Sequence, residues 1–319
     1  MKKTFAFLTV LLSLGLILSG CAEKTKGPKI GVVQLVEHAA LDAAYQGFVD
    51  GLKEAGYEDG KNLTIDYQNA QGEQANCVTI AQKLVNDQND LILAIATPAA
   101  QAVVNFTDTI PVLVTAVTDP ASAKLVNSND LPGTNVSGTS DLNPVDAQVR
   151  LIKRILPDAK KIAFLFCSSE ENSYFQVGLA KKTADEIGLE YVDATVSSSN
   201  EIQSVVESLV GKVDAIYAPT DNMIAAGMAT VSMVSTPAGI PVFCGEAGMV
   251  DNGGFATYGL NYYELGKQTA AMAVDILENG KNPAEMPIQY LEKCDLAINM
   301  EAAEEMGIEI PADVLAELQ

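Results

Sequence analysis

Tryptophan is absent from this 319-residue chain, histidine occurs once, and the only arginines are Arg150 and Arg154. The missing tryptophan weighs against a sugar site, which ordinarily uses flat stacking platforms. One histidine cannot furnish a metal cluster or more than one catalytic triad. Basic residues are scarce as well, with 20 Lys+Arg against 41 Asp+Glu and a formal net charge of -21. A body of that sign repels phosphate backbones, and two arginines on one predicted helix make no counter-stripe, so nucleic acid is not an expected partner. Also missing are G-x-S-x-G, H-E-x-x-H, the P-loop and G-x-G-x-x-G. The sequence thus implies no enzyme, no cofactor and no metal, and only a carboxylate-pair mechanism, which has no fixed spacing, stays open.

The apolar run from Phe5 to Leu18 falls short of the roughly 20 residues a spanning helix needs. Preceded by Lys2 and Lys3, it reads as a secretory signal over residues 1–20. Leu18-Ser19-Gly20-Cys21 resembles the bacterial lipobox, which implies acylation of Cys21, a lipidated linker over 21–28, and a protein anchored by lipid to the extracytoplasmic face of the cell membrane. Of the remaining cysteines, Cys77, Cys167 and Cys244 lie in apolar runs and are expected as buried free thiols.

What is present is 48% hydrophobic residues arranged in two periods. Short β-rich runs are predicted as strands at 29–35, 63–68, 91–96, 111–117 and 135–138. Between the first two, Leu41, Ala44, Tyr45, Phe48, Leu52 and Ala55 recur at steps of three and four, one face of a helix. After 141–144 the alternation restarts, with helices at 147–156, 176–187, 202–210 and 223–234 and strands at 161–167, 189–196, 214–218 and 240–244. A strand at 255–258, a long helix stopped by Asn279-Gly280 and an extended piece at 288–298 follow. The length predicts two domains. Strands alternating with helices predict an α/β fold of two Rossmann-like lobes with parallel sheets. The boundaries expected are 29–141 plus 262–282 for the first lobe and 142–261 plus 283–319 for the second. Three chain crossings, near Leu142, Leu260 and Pro287, would form a hinge.

Ligands of open parallel sheets bind beyond the carboxyl ends of strands, against helix N-termini. Those segments supply Gln34, Glu37, Thr97, Pro98, Thr118, Asp119, Ser137, Asp141, Asp221, Asn222 and Glu246, with Tyr262 opening the late helix. None of the segments carries Lys or Arg. A ligand carboxylate would therefore meet hydroxyls and N–H groups, and a ligand ammonium would meet Glu246 or Asp221. Thr97, Thr118, Asp119 and Asp221 also suit plain helix capping. Glu246 has no evident capping spacing, and His38 reads as a surface or helix-start residue. Tyr174, Phe175, Tyr217, Tyr258 and Tyr262 are candidates to enclose a ring.

Seven segments carry a resemblance: Gly31-Val-Val-Gln-Leu-Val-Glu-His38, Ala40-Leu41-Asp42, Tyr67-Gln68-Asn69-Ala70-Gln71, Ala94-Ile-Ala-Thr-Pro-Ala-Ala-Gln101, Val117-Thr-Asp-Pro120, Pro219-Thr-Asp-Asn222 and Tyr262-Tyr-Glu-Leu-Gly266. Together they resemble the ABC transporter substrate-binding proteins of the tryptophan/tyrosine-binding lipoprotein type. The resemblance implies a type I periplasmic-binding-protein fold, a monomer that delivers a small zwitterionic solute, an aromatic amino acid, to an ABC permease. More remotely the layout is similar to leucine/isoleucine/valine-binding proteins, which implies the ligand carboxylate at Thr97 and Thr118 and its ammonium at Glu246, with Asp221 nearby. Another amine-bearing solute, purine- or nucleoside-like, and a sensory role remain open alternatives.

Overall fold

Apolar runs such as Leu91–Ile95 and Val112–Val117 are buried along their whole length, as strands covered on both faces must be. The computed structural model describes residues 27–318; the signal, Cys21 and most of the linker expected after it lie outside these. In the first half, β1 (Lys29–Gln34), β2 (Thr64–Asn69), β3 (Leu91–Ile95), β4 (Val112–Val117) and β5 (Val136–Ser140) alternate with α1 (Ala39–Glu54), α2 (Gln74–Asn86) and α3 (Thr97–Val104). The second half runs α4 (Val145–Ile155), β6 (Lys161–Cys167), α5 (Glu171–Ile187), β7 (Glu190–Val196), α6 (Ile202–Glu207), β8 (Ala215–Ala218), α7 (Asn222–Ala226), α8 (Met228–Ser235), β9 (Val242–Cys244), α9 (Ala247–Asp251) and β10 (Ala256–Leu260). The chain then forms α10 (Tyr262–Asn279), β11 (Gln289–Tyr290), β12 (Cys294–Ile298), α11 (Met300–Met306) and α12 (Ala312–Leu315).

Two six-stranded sheets result, ordered β11-β5-β4-β3-β1-β2 and β12-β10-β9-β8-β6-β7. All pairings are parallel except β10 with β12. The return helix α10 lies against α1 through glycines: a Cβ on Gly47 would stand 1.9 Å from the Tyr263 carbonyl oxygen, and one on Gly266 2.0 Å from that of Ala44. Leu41, Phe48, Leu52, Leu265 and Met272 close the seam with one side of the first sheet. Each such side chain contributes about 1.5–3 kcal/mol by leaving water. As expected, Gly280 ends α10 in the left-handed conformation, its N–H reaching back into the last turn.

The tail departs from expectation. Residues 288–298 are not one strand of the second lobe. Gln289 and Tyr290 pair in parallel with Thr139 and Ser140, and Met286 and Ile288 are buried in the first core. Ser137 donates to the Met286 carbonyl at 2.6 Å, which pins this stretch to the first sheet. Only from Cys294 does the chain join the second sheet, so the third crossing lies between β11 and β12 and not at Pro287. The single helix expected at 223–234 is broken at Gly227, where a Cβ would stand 2.4 Å from the Ile202 side chain. Cys77, Cys167, Cys244 and Cys294 are free thiols, the first three buried. Among the described residues no helix is long and apolar enough to cross a membrane.

Candidate functional site

The carboxyl ends of the two sheets face each other, and several hydrogen bonds bridge the cleft between them. Gln101 Nε2 donates to Glu171 Oε2 at 2.7 Å, Gln74 Nε2 to the Ser169 carbonyl at 3.1 Å, and Gln176 Nε2 to Thr118 Oγ1 at 3.2 Å. Between the lobes lies a small cavity bordered by His38, Asp141, Asp221, Asn222, Glu246 and Tyr262. No Lys or Arg borders it.

Gly245 brings Glu246 there. A Cβ on it would stand 2.2 Å from Thr220 N, so only glycine lets the turn after β9 run against the end of β8. Contrary to the sequence reading, Glu246 is an N-cap: its Oε2 accepts from Gly248 N at the start of α9. Its Oε1 is buried and has no partner. Asp141 is similar, with Oδ2 accepting from the Tyr262 hydroxyl at 2.7 Å and Oδ1 buried without a partner. Burial pushes Glu246 up to about 7, and the Asp141 charge adds to this against the N–H groups of Gly248 and Met249. Burial likewise raises Asp141 above its ordinary value. Two carboxylates with open lone pairs and no Lys or Arg beside them can accept a cation.

Asp221 does not share that freedom. Its Oδ2 accepts from Cys167 N at 2.6 Å and Ser173 Oγ at 2.7 Å, and its Oδ1 caps α7 through Ile224 N at 2.9 Å. The neighbouring Glu170, not singled out from the sequence, accepts from the backbone and side chain of Asn222 and from Met223 N. Burial and the Asp221 charge raise it to about 8. The signal it gave was the same as that of Glu246, a carboxylate just past an apolar strand.

Thr97 is the first residue of α3 and not its cap, which is Ala96 at φ 83°. Its hydroxyl is buried and unpartnered, in a small space bordered also by Phe175 and Asn172. Pro98 follows it and borders a wider groove at the cleft mouth. Ala116, at φ 54°, lines the main cavity. Positive φ at two alanines costs of order 1–3 kcal/mol each and concentrates at binding sites. Thr118 faces Thr220 across the cleft, hydroxyl to hydroxyl at 3.5 Å. Gln34 is buried with its Nε2 on Asp42 and its Oε1 unmet.

Other candidates are occupied or elsewhere. Asp119 accepts from Ser122 N and Asn129 Nδ2 in its own loop, Ser137 holds the tail, and Glu37 is exposed. Of the aromatic candidates only Tyr262 borders the main cavity. Tyr217 is spent on Gln148 (2.8 Å), Tyr258 on Glu317, and Tyr174 lies half-exposed against the edge of Phe166. His38 is half-buried at the start of α1, its Nε2 3.3 Å from Asn222 Oδ1 across the cleft.

The raised Glu246 carboxyl gives a pH effect of definite sign. Its folded value lies above the ordinary one, so its contribution to the closed, empty form is fully present below about 4.5 and is lost as pH rises through about 7. A cation placed against it restores ionisation. Binding at neutral pH is therefore expected to release protons. Calorimetry in buffers of different ionisation enthalpy reads this as a buffer-dependent heat, which Glu246→Gln should reduce; a buffer-independent heat would contradict it.

The model of the family described as ABC transporter substrate binding protein matches residues 29–319. The tyrosine-binding protein of Clostridioides difficile is 43% identical over 277 residues, 87% of this chain and 80% of that protein. A Streptococcus pneumonia ABC domain solved in complex with L-Trp is 42% identical, covers 92% of this chain and 98% of its own, and superposes with a TM-score of 0.89. A substrate-binding protein of Clostridium difficile, solved ligand-free and open, is 44% identical over 92% of this chain and 98% of its own, with a TM-score of 0.69. At similar identity, the present lobes match the Trp-bound arrangement better than the open one.

Proposed function

Since the chain belongs to the ABC transporter substrate-binding protein family, we propose that it captures an aromatic α-amino acid between its lobes and delivers it to the permease of an ABC importer. The observation that carries this is the pair of unpartnered oxygens, Asp141 Oδ1 and Glu246 Oε1, in a cavity without Lys or Arg. They suit an ammonium. On this reading the ligand carboxylate lies toward the Thr97 hydroxyl, the N–H groups opening α3, and Thr118. The aromatic side chain is supported by the tyrosine and tryptophan ligands of the two relatives. Opening and closing turn on the three crossings, at Asp141–Pro144, Asn261 and the link from β11 to β12.

Members of this family work outside the cytoplasm. The Leu-Ser-Gly-Cys21 motif supports a lipid anchor there, with the polar residues after it as tether. The family is one of binding proteins and not of enzymes.

Mass spectrometry of solute released from the purified, denatured protein tests the proposal, followed by a thermal-shift panel. An aromatic amino acid at 100 times its dissociation constant should add about 2.7 kcal/mol of stability. Stabilisation by a purine nucleoside and by none of the aromatic amino acids would replace the amino-acid reading.

A further inference from the structure

We propose that His38 determines specificity in the cleft: its ring Nδ1 accepts a hydrogen bond from a donor on the ligand's aromatic ring, so that tyrosine or tryptophan is favoured over phenylalanine. The inference rests on the amino-acid reading above. The oxygens of Glu170 accept from the backbone N–H groups of Asn222 at 3.1 Å and Met223 at 3.0 Å. Backbone donors cannot be reversed, and Oε2 also accepts at 3.2 Å from Asn172 Nδ2, itself oriented by the Thr220 carbonyl, so the proton that the raised carboxyl holds belongs on Oε1 and Oε2 is fixed as an acceptor. Asn222 accordingly turns its Nδ2 to Glu170 at 2.6 Å and presents its Oδ1 to His38 Nε2. An amide oxygen only accepts, so Nε2 carries the ring proton and Nδ1 keeps a bare lone pair. Burial holds the imidazole below its ordinary pKa and so neutral.

That lone pair is buried without a partner, on a residue bordering the same cavity as Asp141 and Glu246. An unmet buried acceptor is relieved by a ligand that brings a donor. The ammonium is drawn instead to the two carboxylates, which offer charge-assisted bonds. Asn222, unlike either carboxylate, also borders the wider groove at the cleft mouth. Through its contact with Asn222, His38 lies on the side of the cavity next to that groove, the side toward which a side chain extending away from the ammonium would point. A phenol O–H or an indole N–H satisfies Nδ1; a phenyl ring leaves it unmet. Because the tautomer is set across the cleft, by Asn222 and Glu170 of the second lobe, the selection operates in the closed form.

Calorimetry on the mature protein with L-tyrosine, L-tryptophan and L-phenylalanine tests this. At least one of the first two should bind roughly tenfold or more tighter than phenylalanine. His38→Leu should bring the three within about twofold of one another while largely retaining phenylalanine affinity. As His38 is the sole histidine, nitrogen NMR of the wild type reads its tautomer without assignment. The bound form should carry the proton on Nε2, with the Nδ1 signal moved by the ring donor and not by phenylalanine. Equal weakening of all three ligands in His38→Leu, with the preference intact, would assign the histidine to the ammonium or to closure and overturn the proposal. So would a proton on Nδ1, or equal wild-type affinity for all three. If none of the three binds the wild type, the amino-acid reading itself fails, and this assignment with it.

Discussion

Asp141→Asn and Glu246→Gln are each expected to weaken binding of the aromatic amino acid by about two to three and a half orders of magnitude while leaving the fold intact. Both carboxylates are buried, and each has one oxygen bound to the protein and one open to the cavity. The amide variants keep an oxygen for Tyr262 or for Gly248 N and lose only the charge facing the cavity. Removing one partner of a buried, charge-assisted pair costs about 3–5 kcal/mol, which is the affinity loss stated. Since empty, like-charged carboxylates repel, the same variants should melt no lower than the wild type in the absence of ligand. Calorimetry and thermal melts on each variant check both halves. Affinities within about twofold of wild type for both would show that the ammonium is held elsewhere.

Asp221→Ala should do the opposite, lowering stability far more than a cleft residue would. Three donors, Cys167 N, Ser173 Oγ and Ile224 N, lose their acceptor inside a fully buried site. Each unsatisfied buried donor costs about 1–3 kcal/mol, so the sum is at least about 3 kcal/mol. For a domain of this size that lowers the melting temperature by roughly 6 °C or more. Denaturant or thermal unfolding measures it. A variant that melts with the wild type but loses a hundredfold in affinity would return Asp221 to the ammonium site, where its position after β8 had first suggested it.

These two results turn on a difference the sequence could not express. Asp221 and Glu246 both follow an apolar strand and both cap the next helix, yet one is saturated and the other half open. The donors that saturate Asp221 arrive from Cys167 and Ser173, 54 and 48 residues earlier, because β6 lies beside β8 in the sheet. Asp141 becomes the second open carboxylate because α10 returns to the first lobe and sets the Tyr262 hydroxyl on one of its oxygens. Likewise His38 looks like a helix-start residue until the second lobe brings Asn222 against it.

Local pattern by itself determined the α/β class, the restart of the array after residue 141, the stop at Gly280, and a set of strand ends without Lys or Arg. Each of these follows from the spacing of apolar residues and the conformational rules of single residues, which act over a few positions. Tertiary structure alone decided the rest. Gln289 and Tyr290 are too few to show a period, and they join the first sheet because Met286, Ile288 and the Ser137 hydroxyl hold them there. Which polar atoms stay unmet depends on donors brought together from both lobes, and burial, a property of the closed assembly, sets the raised carboxyls of the cleft. Pairing and desolvation are long-range quantities, fixed only when the two lobes meet.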